Sequence, residues 1–165
     1  MDDYKHKDNV ELLNMLEISG AANQYLLFQF RQKLLAINLH ELRSIVPVRA
    51  LTPVPGCPPH YRGVISLRGT VIPVLDFSYI LEKESDDQNR SFIIVLKDEQ
   101  DSIGITADKV LKISILPEED ILPVETYLTD NNPEFYSGIF RYGNRYGLII
   151  NFEMMIKKTL ETIDD

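Results

Sequence analysis

Hydrophobic and polar positions alternate with a period of two over much of the chain, the mark of strands that bury one face. Residues 25–30 place Leu26, Phe28 and Phe30 on one side, Arg31-Gln32-Lys33 gives a polar turn, and Leu35, Ile37 and Leu39 resume the alternation. That pattern predicts a β-hairpin. Residues 40–45 fit either a helical turn or a further strand. From Pro47 to Pro59, five prolines remove backbone donors, so this stretch is predicted to be extended loop. Residues 63–77 read GVISLRGTVIPVLDF, two strand-like runs around Arg68-Gly69. A glycine there supplies the positive φ that tight hairpins demand, which places Arg68 at a hairpin tip. Residues 82–90 form a polar loop, and residues 92–96 and 103–106 pair as strands about the polar turn 97–101.

Helical spacing shows near both ends. Val10, Leu13 and Leu16 predict a short amphipathic helix within residues 9–18, with Asp8 or Asn9 as its cap. Phe152, Met155, Ile156, Leu160 and Ile163 predict a C-terminal helix over 152–163. The middle of the chain also repeats itself. LLAINLHELRSI, from Leu34, matches SIGITADKVLKI, from Ser102, in apolar positions. GVISLRG with VLDF, from Gly63, matches GIFRYGN with IINF, from Gly138. The same order of elements occurs twice, which predicts two small β-barrels that curl shut to hide their strand edges.

Composition narrows the function. The 165 residues are 44% hydrophobic and 25% charged, enough apolar material for a folded core. A net charge of −8 and a pI near 4.9 argue against a protein whose affinity comes from neutralising phosphates, so nucleic acid is not an expected partner. Cys57 is the only cysteine, which excludes an internal disulfide and fits a reducing cytoplasm. The start, MDDYKHKDNV, does not resemble a signal peptide, and the longest apolar run, residues 92–96, is too short to cross a bilayer. Any membrane association is expected to come through a partner.

Reactive constellations are sparse. Cys57 and His60 are the best metal-ligand pair, two ligands short of a tetrahedral site, and no cofactor is expected. Three scattered histidines and no nucleophile elbow give no support to covalent catalysis. Asp86-Asp87 and Glu118-Glu119-Asp120 read as solvated surface, the latter starting a turn after Pro117. Arg68-Gly69 lacks the further glycines and Lys-Ser/Thr of a phosphate loop. Tyr142 and Tyr146 beside Arg141 and Arg145 would suit a β-barrel that binds a small ligand or stacks oligonucleotide bases, and cross-strand packing explains them as well. The bare sequence therefore points to a β protein that works by presenting surfaces.

Gly63-Val64-Ile65-Ser66-Leu67-Arg68-Gly69, followed by Ile72-Pro73-Val74-Leu75-Asp76, resembles the central motif of the CheW-like domain of bacterial chemotaxis. YLLFQF, AINLHELRSI and FIIVLKDEQDSIGITADKV extend the resemblance in the same order. It implies a CheW-like domain over 25–157, which leaves 1–24 as an N-terminal extension, partly helical by its apolar spacing, and 158–165 as a tail that ends the last helix. The implied fold is mainly β, two five-stranded SH3-like β-barrels around a shared hydrophobic core with short terminal helices. The implied function is that of a non-catalytic adaptor in chemotaxis signalling. Its partners would be the regulatory domain of a CheA-like histidine kinase and the cytoplasmic tips of methyl-accepting chemoreceptors. On this resemblance Arg68 would serve receptor coupling, together with Leu42 and with Ser44, where the family often carries glutamate. Gly63, Gly69, Phe92, Gly104 and Val110 match positions linked with kinase binding.

Overall fold

The computed structural model describes residues 23–82, 90–97, 101–126 and 132–163. The helix expected over 9–18 and the loop over 83–89 lie outside them. Ten strands run in chain order: β1 (Gln24–Phe30), β2 (Lys33–Asn38), β3 (Leu42–Pro47), β4 (Tyr61–Leu67), β5 (Thr70–Leu75), β6 (Phe92–Lys97), β7 (Ser102–Ala107), β8 (Lys109–Ile115), β9 (Tyr136–Tyr142) and β10 (Arg145–Ile150). Helix α1 (Phe77–Glu82) follows β5, and α2 (Phe152–Ile163) follows β10. Short 3-10 turns occupy Leu39–Glu41, Val48–Ala50, Glu118–Asp120, Val124–Thr126 and Pro133–Phe135. Residues 40–45 therefore resolve into a turn and then a strand, and the Pro-rich stretch contains one 3-10 turn.

The described residues form two compact units. One is Glu41–Val110, and the other joins the stretch up to His40 with the stretch from Leu111 onward. Each is built on a five-stranded sheet, in the order β3-β6-β7-β5-β4 for the first and β8-β1-β2-β10-β9 for the second. Chain neighbours pair as antiparallel hairpins, β1 with β2, β4 with β5, β6 with β7 and β9 with β10. The hairpins are joined by two parallel contacts, Val74 and Leu75 against Gly104 and Ile105, and Leu148 and Ile149 against Leu35 and Ala36.

The turns explain the hairpins. Leu67 faces Thr70 across a two-residue loop in which Arg68 has φ +50° and Gly69 φ +81°. Two successive left-handed residues make the primed turn whose twist matches that of paired strands. Tyr142 faces Arg145 across Gly143-Asn144, with Gly143 at φ +61°. Strand β6 carries buried side chains on both faces, which is why it reads as a continuous apolar run. In the Glu41–Val110 unit, Ile65, Ile72, Val74, Ile93 and Val95 form a core cluster on one sheet face. Burial of each such side chain contributes roughly 1.5–3 kcal/mol. Leu27, Leu34, Ala36, Leu116, Phe140 and Ile149 form a cluster in the other unit.

The repeat is real, and it extends past the motifs that revealed it. Strand β2 and β3 correspond to β7 and β8, and β4, β5 and α1 correspond to β9, β10 and α2. Thr52 bridges to Val64, one residue after Gly63, and Leu122 bridges to Ile139, one residue after Gly138. Asp76 N–H donates to the His60 carbonyl at 2.8 Å, and Asn151 N–H donates to the Phe135 carbonyl at 2.7 Å. The sheets nonetheless do not follow the repeats: each takes the first two strands of one repeat and the last three of the other.

Closure differs from the expectation of two barrels. The end strands, β3 and β4 in one sheet and β8 and β9 in the other, share no ladder, so these are open five-stranded sheets. The outer edges of β4 and β9 are instead capped at one point each by Thr52 and Leu122. A short bridging segment hides an edge without requiring the first and last strands to meet.

Candidate partner-binding surface

The β4–β5 hairpin carries the most exposed of the sequence-selected residues. Arg68 and Gly69 at its tip are exposed, and nothing lies within 4 Å of where a Cβ on Gly69 would stand. Arginine at φ +50° is in a region that side chains other than those of glycine, asparagine and aspartate rarely adopt. The turn thus holds a guanidinium, a donor suited to carboxylates and helix ends, clear of the sheet.

The other selected residues, except Val110 on β8 of the second sheet, are distributed across the Glu41–Val110 sheet. Ser44 pairs with Val95, Val95 with Gly104, Gly104 with Val74 and Val74 with Gly63, so Ser44, Gly104 and Gly63 lie in one row across all five strands. A Cβ on Gly104 would stand 2.8 Å from Ile93 Cγ2 and 3.1 Å from Val74 Cγ2, so the space beside this glycine is filled by its own core. A Cβ on Gly63 would collide with the carbonyl oxygen of Thr52. Leu42 and Ser44, two residues apart in sequence, do not share a face. The register shift between them sets Leu42 against Leu96 and Ser44 against Val95, which are consecutive and so point to opposite sides. Leu42 is buried on edge strand β3, whereas Arg68 belongs to the hairpin at the opposite end of the strand order.

Phe92 opens β6 opposite Pro47 and Ala107, with its side chain largely buried. Just before it, Arg90 is ion-paired to Asp108 at 2.6 Å, clipping the entrance of β6 to the turn between β7 and β8. Val110 is half-buried in β8, two residues past that clip. On the β3 side, an Arg43 guanidinium nitrogen donates to the Ser102 hydroxyl at 2.6 Å.

Several polar residues hold this surface in roles that their sequence context did not announce. Asp76, 1% exposed, accepts hydrogen bonds from the backbone N–H groups of Ser78 (3.0 Å) and Tyr79 (3.3 Å) through Oδ1, and its Oδ2 lies 3.4 Å from Arg62 Nε. It is the N-cap of α1, a helix of six residues too short to announce itself by periodicity. His60 is 4% exposed, its ring centroid 4.3 Å from that of Tyr61 and 6.2 Å from that of Tyr79. Cys57, the other half of the best metal-ligand pair, points its thiol at the Tyr61 carbonyl at 3.7 Å.

Burial pushes the His60 pKa below its ordinary value of about 6.5. The unfolded chain then takes up the proton first as pH falls, so stability is full above about 6.5 and declines below it until the folded form is also protonated. Chemical denaturation between pH 7.5 and pH 5 is expected to show this loss, and His60→Gln is expected to flatten that part of the profile. An unchanged slope in the variant would remove His60 as the cause.

With this geometry in place, comparison with known proteins becomes specific. The family model for the CheW-like domain matches residues 24–160. The chain belongs to the CheW-like family. Among its curated relatives, the chemotaxis protein CheW of Treponema pallidum is 24% identical over 137 residues, covering 80% of this chain and 81% of that protein. The chemotaxis protein CheW of Helicobacter pylori is 28% identical over 156 residues, covering 93% and 87%. The crystal structure of scaffolding protein TtCheW from Thermoanaerobacter tengcongensis superposes with a TM-score of 0.70 at 22% identity, over 84% of this chain and 90% of that one. At that identity the superposition establishes the CheW fold, with its two sheets and few helices.

Proposed function

We propose that this CheW-like protein is a chemotaxis-type signal transduction adaptor. It couples a CheA-like histidine kinase to the cytoplasmic tips of methyl-accepting chemoreceptors through protein contacts, without catalysis. The observation that carries the reading is the SLRG hairpin: in a chain of this family, Arg68 stands exposed at a turn position that disfavours arginine. A residue kept in a strained backbone conformation at a surface tip supports a role for its side chain rather than for the turn. Relatives named as chemotaxis proteins, and a related structure titled as a scaffolding protein, support the adaptor class.

No helix among the described residues is long and apolar enough to cross a membrane, so recruitment to receptor arrays would occur through partners. Phe92, Gly104, Val110 and the two hairpin glycines would shape the kinase side, and Leu42 and Ser44 would join Arg68 in serving the receptor. Interfaces of ordinary size cover about 800 Å² on each partner, so a surface of 10045 Å² accommodates both at once.

Arg68→Glu and Arg68→Gly test the reading together. Both are expected to remain folded, and Arg68→Gly relieves the positive φ, so its stability should equal the wild type or exceed it by about 0.5–1 kcal/mol. Both are expected to lose at least about tenfold in receptor co-sedimentation, a loss of about 1.4 kcal/mol, with Arg68→Glu the weaker binder. Unchanged retention of receptor and kinase by both variants would reject the role given to Arg68.

A further inference from the structure

Two of the large hydrophobic side chains exposed among the described residues, Ile115 and Tyr146, line one groove. Ile115 at the end of β8 is 62% exposed, and Tyr146, just past the β9–β10 turn, is 58% exposed. The groove, of about 600 Å³, is lined besides by apolar Leu116, Leu122 and Phe140 and by charged Glu119, Asp120 and Arg141. Leu116 and Phe140 belong to the core cluster of their unit, so this apolar lining is fixed before anything binds. A preformed apolar lining with an aromatic side chain is the composition of protein recognition sites.

The repeat shows that the fold itself does not demand this surface. The cross-strand pair Arg141 and Tyr146 corresponds to Ser66 and Val71 on the β4–β5 hairpin. Charge then selects the occupant. Glu118, Glu119 and Asp120 are all exposed, and none of their carboxylates has an ion pair among the described residues. Arg141 also lines the groove, its Nε donating to the Gly143 carbonyl at 3.0 Å, so two lining carboxylates face one guanidinium. The net charge of the lining is negative.

We propose that this groove is a docking site for a short peptide segment of a partner protein, one that presents adjacent apolar side chains flanked by lysine or arginine. The apolar residues lie over Leu116, Leu122 and Phe140, with Ile115 and Tyr146 closing over them. The flanking cations meet the Glu118–Asp120 carboxylates. The volume suits a few side chains rather than a folded domain, and the site belongs to the other unit from the Arg68 hairpin and does not depend on the adaptor reading.

The test uses the full chain and fluorescein-labelled heptapeptides with two central leucines and lysine or arginine at both ends, beside a matched set ending in glutamate. Saturable anisotropy changes are expected for the basic set alone, weakening as salt rises. The double variants Ile115→Ser with Tyr146→Ala and Glu119→Lys with Asp120→Lys are each expected to lose at least tenfold in affinity. Glu153→Lys, an exposed acid elsewhere in the same unit, and Arg68→Glu are expected to bind as the wild type does. Equal binding of the glutamate set, equal weakening by Glu153→Lys, or indifference to the Ile115 and Tyr146 pair would overturn the proposal. So would loss of kinase or receptor retention in the groove variants, which would make the groove part of those interfaces.

Discussion

Replacing Gly63 by alanine is expected to destabilise the protein by about 3 kcal/mol or more. Two effects act together. The backbone at Gly63 has φ +144°, a conformation nearly closed to side chains, and the added methyl would meet a backbone carbonyl rather than a movable side chain. That carbonyl cannot withdraw cheaply, because Thr52 is held against β4 by two hydrogen bonds, its N–H to the Val64 carbonyl at 2.8 Å and the Val64 N–H to its own carbonyl at 2.9 Å. Relief would break the bridge that caps the edge of β4. Gly69→Ala is the control: its φ of +81° also disfavours alanine, but no atom lies within 4 Å, so only a backbone cost of about 1 kcal/mol is expected. Urea unfolding of the two variants should separate them clearly, and equal midpoints would show that the Thr52 contact does not matter. The outcome bears on function, since a binding defect in a Gly63 variant reports on the fold until its stability has been measured.

Asp76→Ala is expected to cost about 2–4 kcal/mol, the other large effect. The side chain is buried, caps two N–H groups of α1 and stands beside the Arg62 guanidinium, so its removal undoes a helix start and an ion pair in one step. Its counterpart in the repeat, Asn151, accepts a single N–H, from Met154 at 3.2 Å, and Asn151→Ala should cost only about 1 kcal/mol. Asp76→Asn keeps an oxygen for the cap and gives up the charge, so it should fall between wild type and alanine. Thermal and urea denaturation of the three variants give the ranking. Equal losses for Asp76→Ala and Asn151→Ala would deny the ion pair any share.

Strands declared themselves in the sequence wherever local rules suffice. The alternation of Leu26, Phe28 and Phe30 and the glycine at position 69 specify hairpins that need only their own residues, and the C-terminal helix follows from its apolar spacing. The glycine after Arg68, between two strand-like runs, placed Arg68 correctly at a hairpin tip. Helix α1 was not legible, since its six residues span less than two turns and its cap, Asp76, reads equally well as the end of a strand. Barrel closure failed for a different reason. Whether β8 meets β9 depends on the segments lying along the sheet edges, and nothing in the alternation of either strand encodes that. The opposite facing of Leu42 and Ser44 was hidden likewise, because a register shift arises from the pairing of two strands and cannot be seen in one.

The exchange of strands between repeats has a consequence for how the molecule is made. During synthesis β1 and β2 leave the ribosome first, yet the sheet that receives them is completed only by β8, β9 and β10, the last strands translated. The unit that repeats along the chain and the unit that closes a sheet are therefore different objects. A nascent chain ending at Glu82 holds one whole repeat but only fragments of each sheet, with the parallel partners of β2 and β5 still untranslated. Such long-range closure slows folding and leaves unpaired strand edges available to chaperones or to neighbouring chains until the C-terminus emerges.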